Sequence, residues 1–549
     1  MNQALADLIF PNITKTIVDY EMQYPERNLK EGAIVTRFAP SPTGFVHMGS
    51  LLAAFVAKKY AEQTDGVFFL RIEDTDQKRS VENGIDGIIQ DLKAFDITIN
   101  EGRISETEEL GAYGPYLQSE REAIYKAFAK YLILNGLAYP CFLTEEEIEE
   151  TRKRQEICKE RIGIYGPYAK YRNLPADEAY QKIQNGEAYI IRLKSPGDFN
   201  RKVVLNDVIR GKIEFPENDL DLVIIKQDGL PTYHFAHFVD DYLMRTTHII
   251  RGDEWISSAP IHLQLFQVFG VKPPKYAHLA PIMKLDNGSR RKLSKRKDPE
   301  AAVSYYHEQG IPTEAVLLYL MTIANSNFEE WMNSNPSADY HDFKLEFKKM
   351  SVSGALFDLE KLENISRNYI SLLSAEEVYD RALTHALEFN SEFAKLLKKY
   401  KDKTIQFFNI EREQKKPRKD FVSFGTLKDQ TWYLYDELFS GHEYHLGKIN
   451  DKDKIKEMMT LYLNDYYDES DDESTWFDKM KQFGESYGYC SNMKDYKMNP
   501  ENYPGSIVDI STLVRVIATT LDQTPNLYQI IQLLGKDGMK KRLEIFLNQ

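Results

Sequence analysis

The segment from Ala33 to Ile72 constrains the fold more than any other part of the chain. Ala33-Ile34-Val35-Thr36-Arg37-Phe38 is a strand-like run, broken by Pro40, Pro42 and Gly44. From Leu51 to Tyr60 apolar residues recur at helical spacing, with Leu51 and Phe55, and Leu52 and Val56, marking the buried face. Val67-Phe68-Phe69-Leu70-Arg71-Ile72 reads as a second strand, which makes one βαβ unit with a right-handed connection. Between first strand and helix lies His47-Met48-Gly49-Ser50. A turn that feeds a helix start presents N–H groups to phosphate. Glycine lets a ligand approach the backbone, and histidine can donate to a phosphate oxygen. Read alone, the quartet is more often an ordinary turn and helix start than a phosphate site.

The chain has 549 residues, too many for one core, so three or more domains are expected. Residues 1–30 have neither the apolar core of a signal peptide nor the acid-poor, Arg-rich make-up of a transit peptide, and read as an N-terminal extension. An α/β, Rossmann-like domain is expected at 31–115 and 206–270, split by a mostly helical insertion over 116–205. Sheet signals return at Leu222-Val223-Ile224-Ile225 and Thr247-His248-Ile249-Ile250, and a helix is expected from Ser258 to Phe269. Residues 271–340 form a connecting region, in which Asp298 is a good helix N-cap and Pro299 suits the first helical position. Residues 341–549 are helical and polar.

No apolar run reaches the roughly 18 residues of a membrane span. Three scattered cysteines, Cys141, Cys158 and Cys490, exclude a disulfide framework and fit a reducing cytoplasm. A net charge of −14 argues weakly against nucleic acid, although a local basic face suffices to bind phosphate.

A second motif, Lys292-Leu293-Ser294-Lys295-Arg296, follows the loop Asp286-Asn287-Gly288-Ser289. Such a loop is usually a solvated face. It could instead close over a triphosphate and stabilise charge developing on the α-phosphate and pyrophosphate. Together the two motifs resemble the HIGH and KMSKS signatures of class I aminoacyl-tRNA synthetases. Arg37-Phe38-Ala39-Pro40-Ser41-Pro42-Thr43-Gly44, Arg71-Ile72-Glu73-Asp74-Thr75-Asp76, Tyr116-Leu117-Gln118-Ser119-Glu120-Arg121, Pro231-Thr232-Tyr233-His234-Phe235-Ala236 and Ile250-Arg251-Gly252-Asp253-Glu254-Trp255 narrow the resemblance to the glutamyl-tRNA synthetases.

The resemblance implies a class I nucleotide-binding catalytic domain with an inserted acceptor-stem-binding domain, a stem-contact region with the KMSKS-like loop over 271–340, and all-α tRNA-binding domains, with 341–549 as the helical anticodon-binding region. It implies glutamate–tRNA ligation, with ATP as substrate, Mg2+ accompanying it, and tRNA(Glu) as partner. Arg37 and Arg251 match the family's positions for the γ-carboxylate, Tyr233 adds a phenolic donor, Glu73 matches the partner of the α-ammonium, and Ser41 is placed at the amino acid. His47 and Gly49 would meet the phosphates, Glu254 the nucleoside and the Leu285 backbone the adenine. Lys292, Ser294 and Lys295 would form the closing loop. His237 stands where relatives usually have asparagine. Two readings stay open for it: a donor to glutamate, favoured if protonated, or a packed histidine near the site.

Some relatives hold zinc in the insertion with clustered cysteines. Cys141 and Cys158 do not make four ligands, so no zinc is expected and Cys141 reads as buried. The resemblance assigns the C-terminal region to the tRNA body and anticodon, where Lys415-Lys416-Pro417-Arg418-Lys419 is either a solvated turn or a phosphate contact. The enzyme is expected to be a cytoplasmic monomer. A glutaminyl-tRNA synthetase would have Pro-Pro-Glu-Pro in place of Ala39-Pro40-Ser41-Pro42, and a shortened relative that modifies a tRNA base would lack the C-terminal half. A non-catalytic RNA-binding paralogue would have lost His47, Lys295 or the arginines. An enzyme that also charges tRNA(Gln) remains open.

Overall fold

The computed structural model describes residues 2–44, 46–76, 81–294, 296–335 and 338–549. The chain divides into two compact units, Met1–Tyr305 with Leu317–Asp358, and Tyr306–Val316 with Leu359–Gln549.

In the first unit Val35–Phe38 runs parallel to Val67–Leu70, Val35 opposite Val67 and Phe38 opposite Leu70. Val67–Leu70 in turn pairs parallel with Glu101–Arg103, and Glu109–Leu110 closes that edge antiparallel. The expected helix is Met48–Glu62. It is buried all round from Leu51 to Ala61, beyond the single face expected. The sheet covers one side. On the other, Tyr60 stacks on Phe347 with centroids 3.7 Å apart, and Gln63 Nε2 donates to Leu345 O at 3.0 Å. A helix apolar on every side fits such a two-sided burial.

His248–Gly252 pairs parallel with Lys275–Leu279. The Thr247 N–H donates to Val35 O at 3.0 Å and the Val35 N–H to Thr247 Oγ1 at 2.8 Å, which sets this pair beside the first strand. Arg37, Glu73 and Arg251 therefore sit at or just beyond strand carboxyl ends, where open α/β sheets bind ligands.

The insertion carries a sheet besides the helices Glu122–Leu134, Glu145–Cys158 and Ala176–Gln184. Ala138–Cys141, Ile190–Leu193 and Val223–Ile225 form an antiparallel sheet beside the helix Glu122–Leu134. The strand at 223–225 thus belongs with the insertion and not with the parallel sheet. Lys202–Asp207 and Gly211–Pro216 make a separate hairpin. Cys141 is buried in its strand and Cys158 is exposed. The extension folds into the same core: Leu5, Ala6, Phe10, Tyr20 and Tyr24 pack with Phe128 and Leu132. Arg27 also grips Glu101 through both carboxylate oxygens, at 2.8 and 3.0 Å.

Met283–Asp286 and Ser289–Lys292 form an antiparallel hairpin. Asp298 does not cap the short helical turn that follows it. Its carboxylate instead holds Arg291 at 2.6 and 2.7 Å and accepts the Ser294 N–H at 2.9 Å, because the turn folds back on the hairpin.

The second unit is helical. One core gathers Val378, Tyr379, Phe407, Phe408 and Leu427; another gathers Ile455, Met459, Phe483, Ile510 and Val514. The last helix, Leu527–Asn548, is interrupted at Gly535, whose φ of +69° suits glycine. Among the described residues no helix is long and apolar enough to cross a membrane.

Candidate active site

The strand ends surround a cavity of about 360 Å³. Arg37, Ser41, His47, Gly49, Glu73, Tyr233, Arg251, Glu254 and Lys292 all line it. Residues drawn from five separate stretches of sequence therefore meet at one place. Leu285 lies on the hairpin and is more than half exposed, and neither it nor Ser294 lines the cavity. Lys295 lies outside the described residues.

At the helix start, His47 is itself the N-cap of Met48–Glu62, and its Nδ1 accepts the Ser50 N–H at 3.1 Å. With Nδ1 accepting, the ring proton of the neutral imidazole sits on Nε2 as a donor. Gly49 makes this possible. A Cβ there would stand 3.0 Å from His47 Cε1 and 3.2 Å from Nδ1. Across the cavity, Lys292 Nζ lies 3.1 Å from Glu254 Oε2. Burial works to raise the Glu254 pKa, but a backbone hydrogen bond and Lys292 outweigh it and hold the carboxyl low.

The opposite end is a buried charge network that the motifs did not announce. Arg37 donates to both oxygens of Asp241, Nε to Oδ1 at 3.1 Å and Nη2 to Oδ2 at 3.3 Å. Arg71 donates to Asp241 Oδ1 and to Glu73 Oε1, both at 2.9 Å. Burial opposes ionisation of Asp241, but the two guanidiniums prevail and bring its pKa to about 2. Burial raises the pKa of Glu73, only partly offset by Arg71 and Arg37. Asp240, the neighbouring acid, is matched by Arg121 at 2.7 Å. Arg37 and Arg71 thus share Asp241 and Glu73, while the Arg251 nitrogens meet His278, His262 and the Trp255 carbonyl and, among the described residues, no carboxylate directly. The signal in the sequence was the acid pair Asp240-Asp241 on an otherwise apolar helix face, since buried acids need cationic partners.

Tyr233 begins the helix Tyr233–Leu243 and packs on Trp255, centroids 4.6 Å apart. Burial pushes its hydroxyl up to about 12, so it remains a donor. His237, four residues on, is fully buried and does not line the cavity. It stacks on His262 at 4.0 Å. Burial, reinforced by Arg251 and Arg37, pushes its pKa well below the ordinary value, so the protonated form considered from the sequence is not the one this setting favours. His234 is likewise lowered to about 4, by burial and Arg251, and its Nδ1 lies 3.1 Å from His262 Nε2.

Residues 33–364 match the family model described as tRNA synthetases class I (E and Q), catalytic domain. A glutamate–tRNA ligase of Clostridium beijerinckii is 49% identical over 549 residues, covering 100% of this chain and 99% of its own. One of Acetivibrio thermocellus is 45% identical, covering 98% of each. The crystal structure of a glutamate tRNA ligase from Elizabethkingia meningosepticum, in complex with its amino acid, superposes with a TM-score of 0.76. It covers 94% of this chain and 99% of that one, and at 24% identity it speaks for the fold.

Proposed function

The chain belongs to the class I tRNA synthetases of the glutamate and glutamine branch and ligates glutamate to tRNA using ATP, and we propose how its cavity does so. Glutamate binds at the network end. Its α-ammonium meets Glu73, its γ-carboxylate meets Arg37 and Arg251, and Tyr233 donates from the cavity wall. The observation that carries this reading is that two guanidiniums, Arg37 and Arg251, and one carboxylate, Glu73, line the same end of the cavity, which suits an amino acid with two carboxylates and one ammonium. Glutamine would leave the guanidiniums short of one charge.

ATP lies at the other end. His47 Nε2 and the helix start near Gly49 take the phosphates, and Glu254 takes the nucleoside. Backbone at Leu285 and the loop residues Lys292, Ser294 and Lys295 complete the closed site. An oxygen of the glutamate α-carboxylate attacks the α-phosphorus, the α–β phosphoanhydride breaks, and pyrophosphate leaves. A 2′-hydroxyl of the terminal adenosine then attacks the activated carbonyl and AMP leaves. No side chain forms a covalent bond. The protein contributes positioning and charge stabilisation. Mg2+ would enter on the nucleotide and would neutralise triphosphate charge. The insertion takes the acceptor stem and the helical unit the tRNA body, in a cytoplasmic monomer whose three cysteines are unpaired.

The test is glutamate-dependent ATP–pyrophosphate exchange, run with and without tRNA(Glu), with glutamine as control. The wild type should exchange with glutamate. Arg37→Ala should lose on the order of 100-fold in kcat/KM for glutamate, with KM for ATP little changed. Absence of exchange under both conditions overturns the reading. Charging of purified tRNA(Glu) and tRNA(Gln) by the same preparation defines the tRNA range.

A further inference from the structure

Arg251 is held from behind by a relay that starts on the hairpin Lys202–Asp207/Gly211–Pro216, far from every motif. Its Nε donates to His278 Nε2 at 3.0 Å. On the other face of the ring, His278 Nδ1 lies 2.7 Å from Asp207 Oδ2. Because Nε2 accepts, the proton of the neutral imidazole must sit on Nδ1 and point at Asp207. Asp207 and His278 are both buried, 4% and 0% exposed, so neither can turn to water.

Asp207 is fitted to accept only. Its Oδ1 takes the N–H groups of Ile209 and Arg210, both at 2.9 Å, and its Oδ2 takes the His278 N–H at 3.0 Å besides the ring. The same turn sends Arg210 to His278 O at 3.2 Å and to Asp253 at 2.9 Å, one residue before Glu254. The hairpin tip thus clasps both strands of the pair that carries Arg251. The other nitrogens of Arg251 meet His262 Nδ1 at 3.3 Å and Trp255 O at 3.2 Å, so every guanidinium nitrogen has a partner and each Nη keeps a second N–H.

We infer that Asp207 and His278 are positioning residues for the glutamate-reading Arg251: Asp207 fixes the His278 tautomer that accepts from Arg251 Nε, and so aims the guanidinium into the cavity. This rests on the assignment of Arg251 to glutamate. Without the relay the guanidinium still carries its charge but loses its orientation. The effect should fall on glutamate and not on ATP.

Three variants separate orientation from bulk. His278→Gln places an amide oxygen near the site of Nε2 and keeps an acceptor for Arg251. His278→Asn reaches Asp207 but not Arg251. Asp207→Asn must point an NH2 group at N–H donors in either flip, and favours the opposite imidazole tautomer. Steady-state charging of tRNA(Glu) should show KM for glutamate raised about 10-fold or more in His278→Asn and Asp207→Asn, with KM for ATP and kcat within a few fold. His278→Gln should lie near wild type. Melting temperatures are measured alongside, because a residue that served stability alone would lower them and reduce the apparent kcat while leaving both KM values in place. An unchanged KM for glutamate in His278→Asn, or equal loss in His278→Gln and His278→Asn, overturns the positioning role. A wild type that charges no glutamate takes down the ligase reading and this one together.

Discussion

Asp241 shows how much of the site depends on a residue with no motif to mark it. It holds the Nε and Nη2 edge of Arg37 and one arm of Arg71, and accepts from Thr246 Oγ1 at 3.1 Å as well. Removing one partner of a buried pair strands the other charge, a loss of about 3–5 kcal/mol. Asp241→Asn keeps the shape and removes the charge, leaving Arg37 without its bidentate partner and Arg71 with Glu73 and the more distant Asp240 at 3.7 Å. Urea unfolding at neutral pH should show the variant less stable by about 3 kcal/mol, with weakened glutamate binding. A loss below about 1 kcal/mol would mean that the pair is worth no more than an exposed ion pair, and the network account would fail. Arg37, Glu73, Tyr233 and Arg251 could be singled out from the sequence because each stands inside a local motif, and all four line the cavity. Asp241, His278 and Asp207 were not. Their roles come from partners 204, 27 and 71 residues away, and although the acid pair Asp240-Asp241 calls for cations, nothing local says which ones.

Among the elements, the helix Met48–Glu62 joins stability and chemistry at one turn, and Gly49 sets them against each other. Inside a helix, glycine to alanine gains up to about 1 kcal/mol in propensity. Here the added Cβ would stand 3.0 Å from the His47 ring and displace it from the Ser50 N–H. Gly49→Ala should therefore keep its melting temperature within a few degrees and still lose about 10-fold in kcat/KM for ATP. A variant with wild-type ATP kinetics would show that the imidazole need not lie where it does. This element was found in the sequence because two prolines and a glycine punctuate the chain and the apolar period is clear, but it starts at Met48, inside the quartet read as a turn, and not at Leu51. Periodicity gives no partner, however. It could not tell that Val223–Ile225 joins the antiparallel sheet of the insertion, since a short apolar run suits either sheet. Asp298 misled for a related reason: a good capping residue was drawn off by Arg291 seven positions earlier, a stronger charged partner.

Over the whole molecule, the two units should respond differently to acid. The first unit buries His234 and His248, each brought to about 4 chiefly by burial, and His237 and His262, pushed well below the ordinary value by the same cause. An unfolded histidine takes up its proton near 6.5, so between about 6.5 and 4 the unfolded chain binds more protons than the folded one. Stability is then full above about 6.5 and falls as pH drops through that window, each histidine setting a slope of at most about 1.4 kcal/mol per pH unit. Asp241 acts lower. Its carboxylate contributes fully above the ordinary 3.8 and loses that contribution only as pH falls towards 2. In the second unit, among the described residues, His385 shows the same downward direction, again mainly from burial. Hydrogen exchange, corrected for the intrinsic pH dependence of amide rates, can follow the units separately. Between pH 7.5 and 5, protection in Tyr233–Leu243 and Ala259–Val268, which carry three of the four histidines, should fall much further than in Lys452–Leu461. Equal losses in all three helices would show that the buried histidines do not govern the acid response. The site would then owe its neutral imidazoles to something other than the packing described.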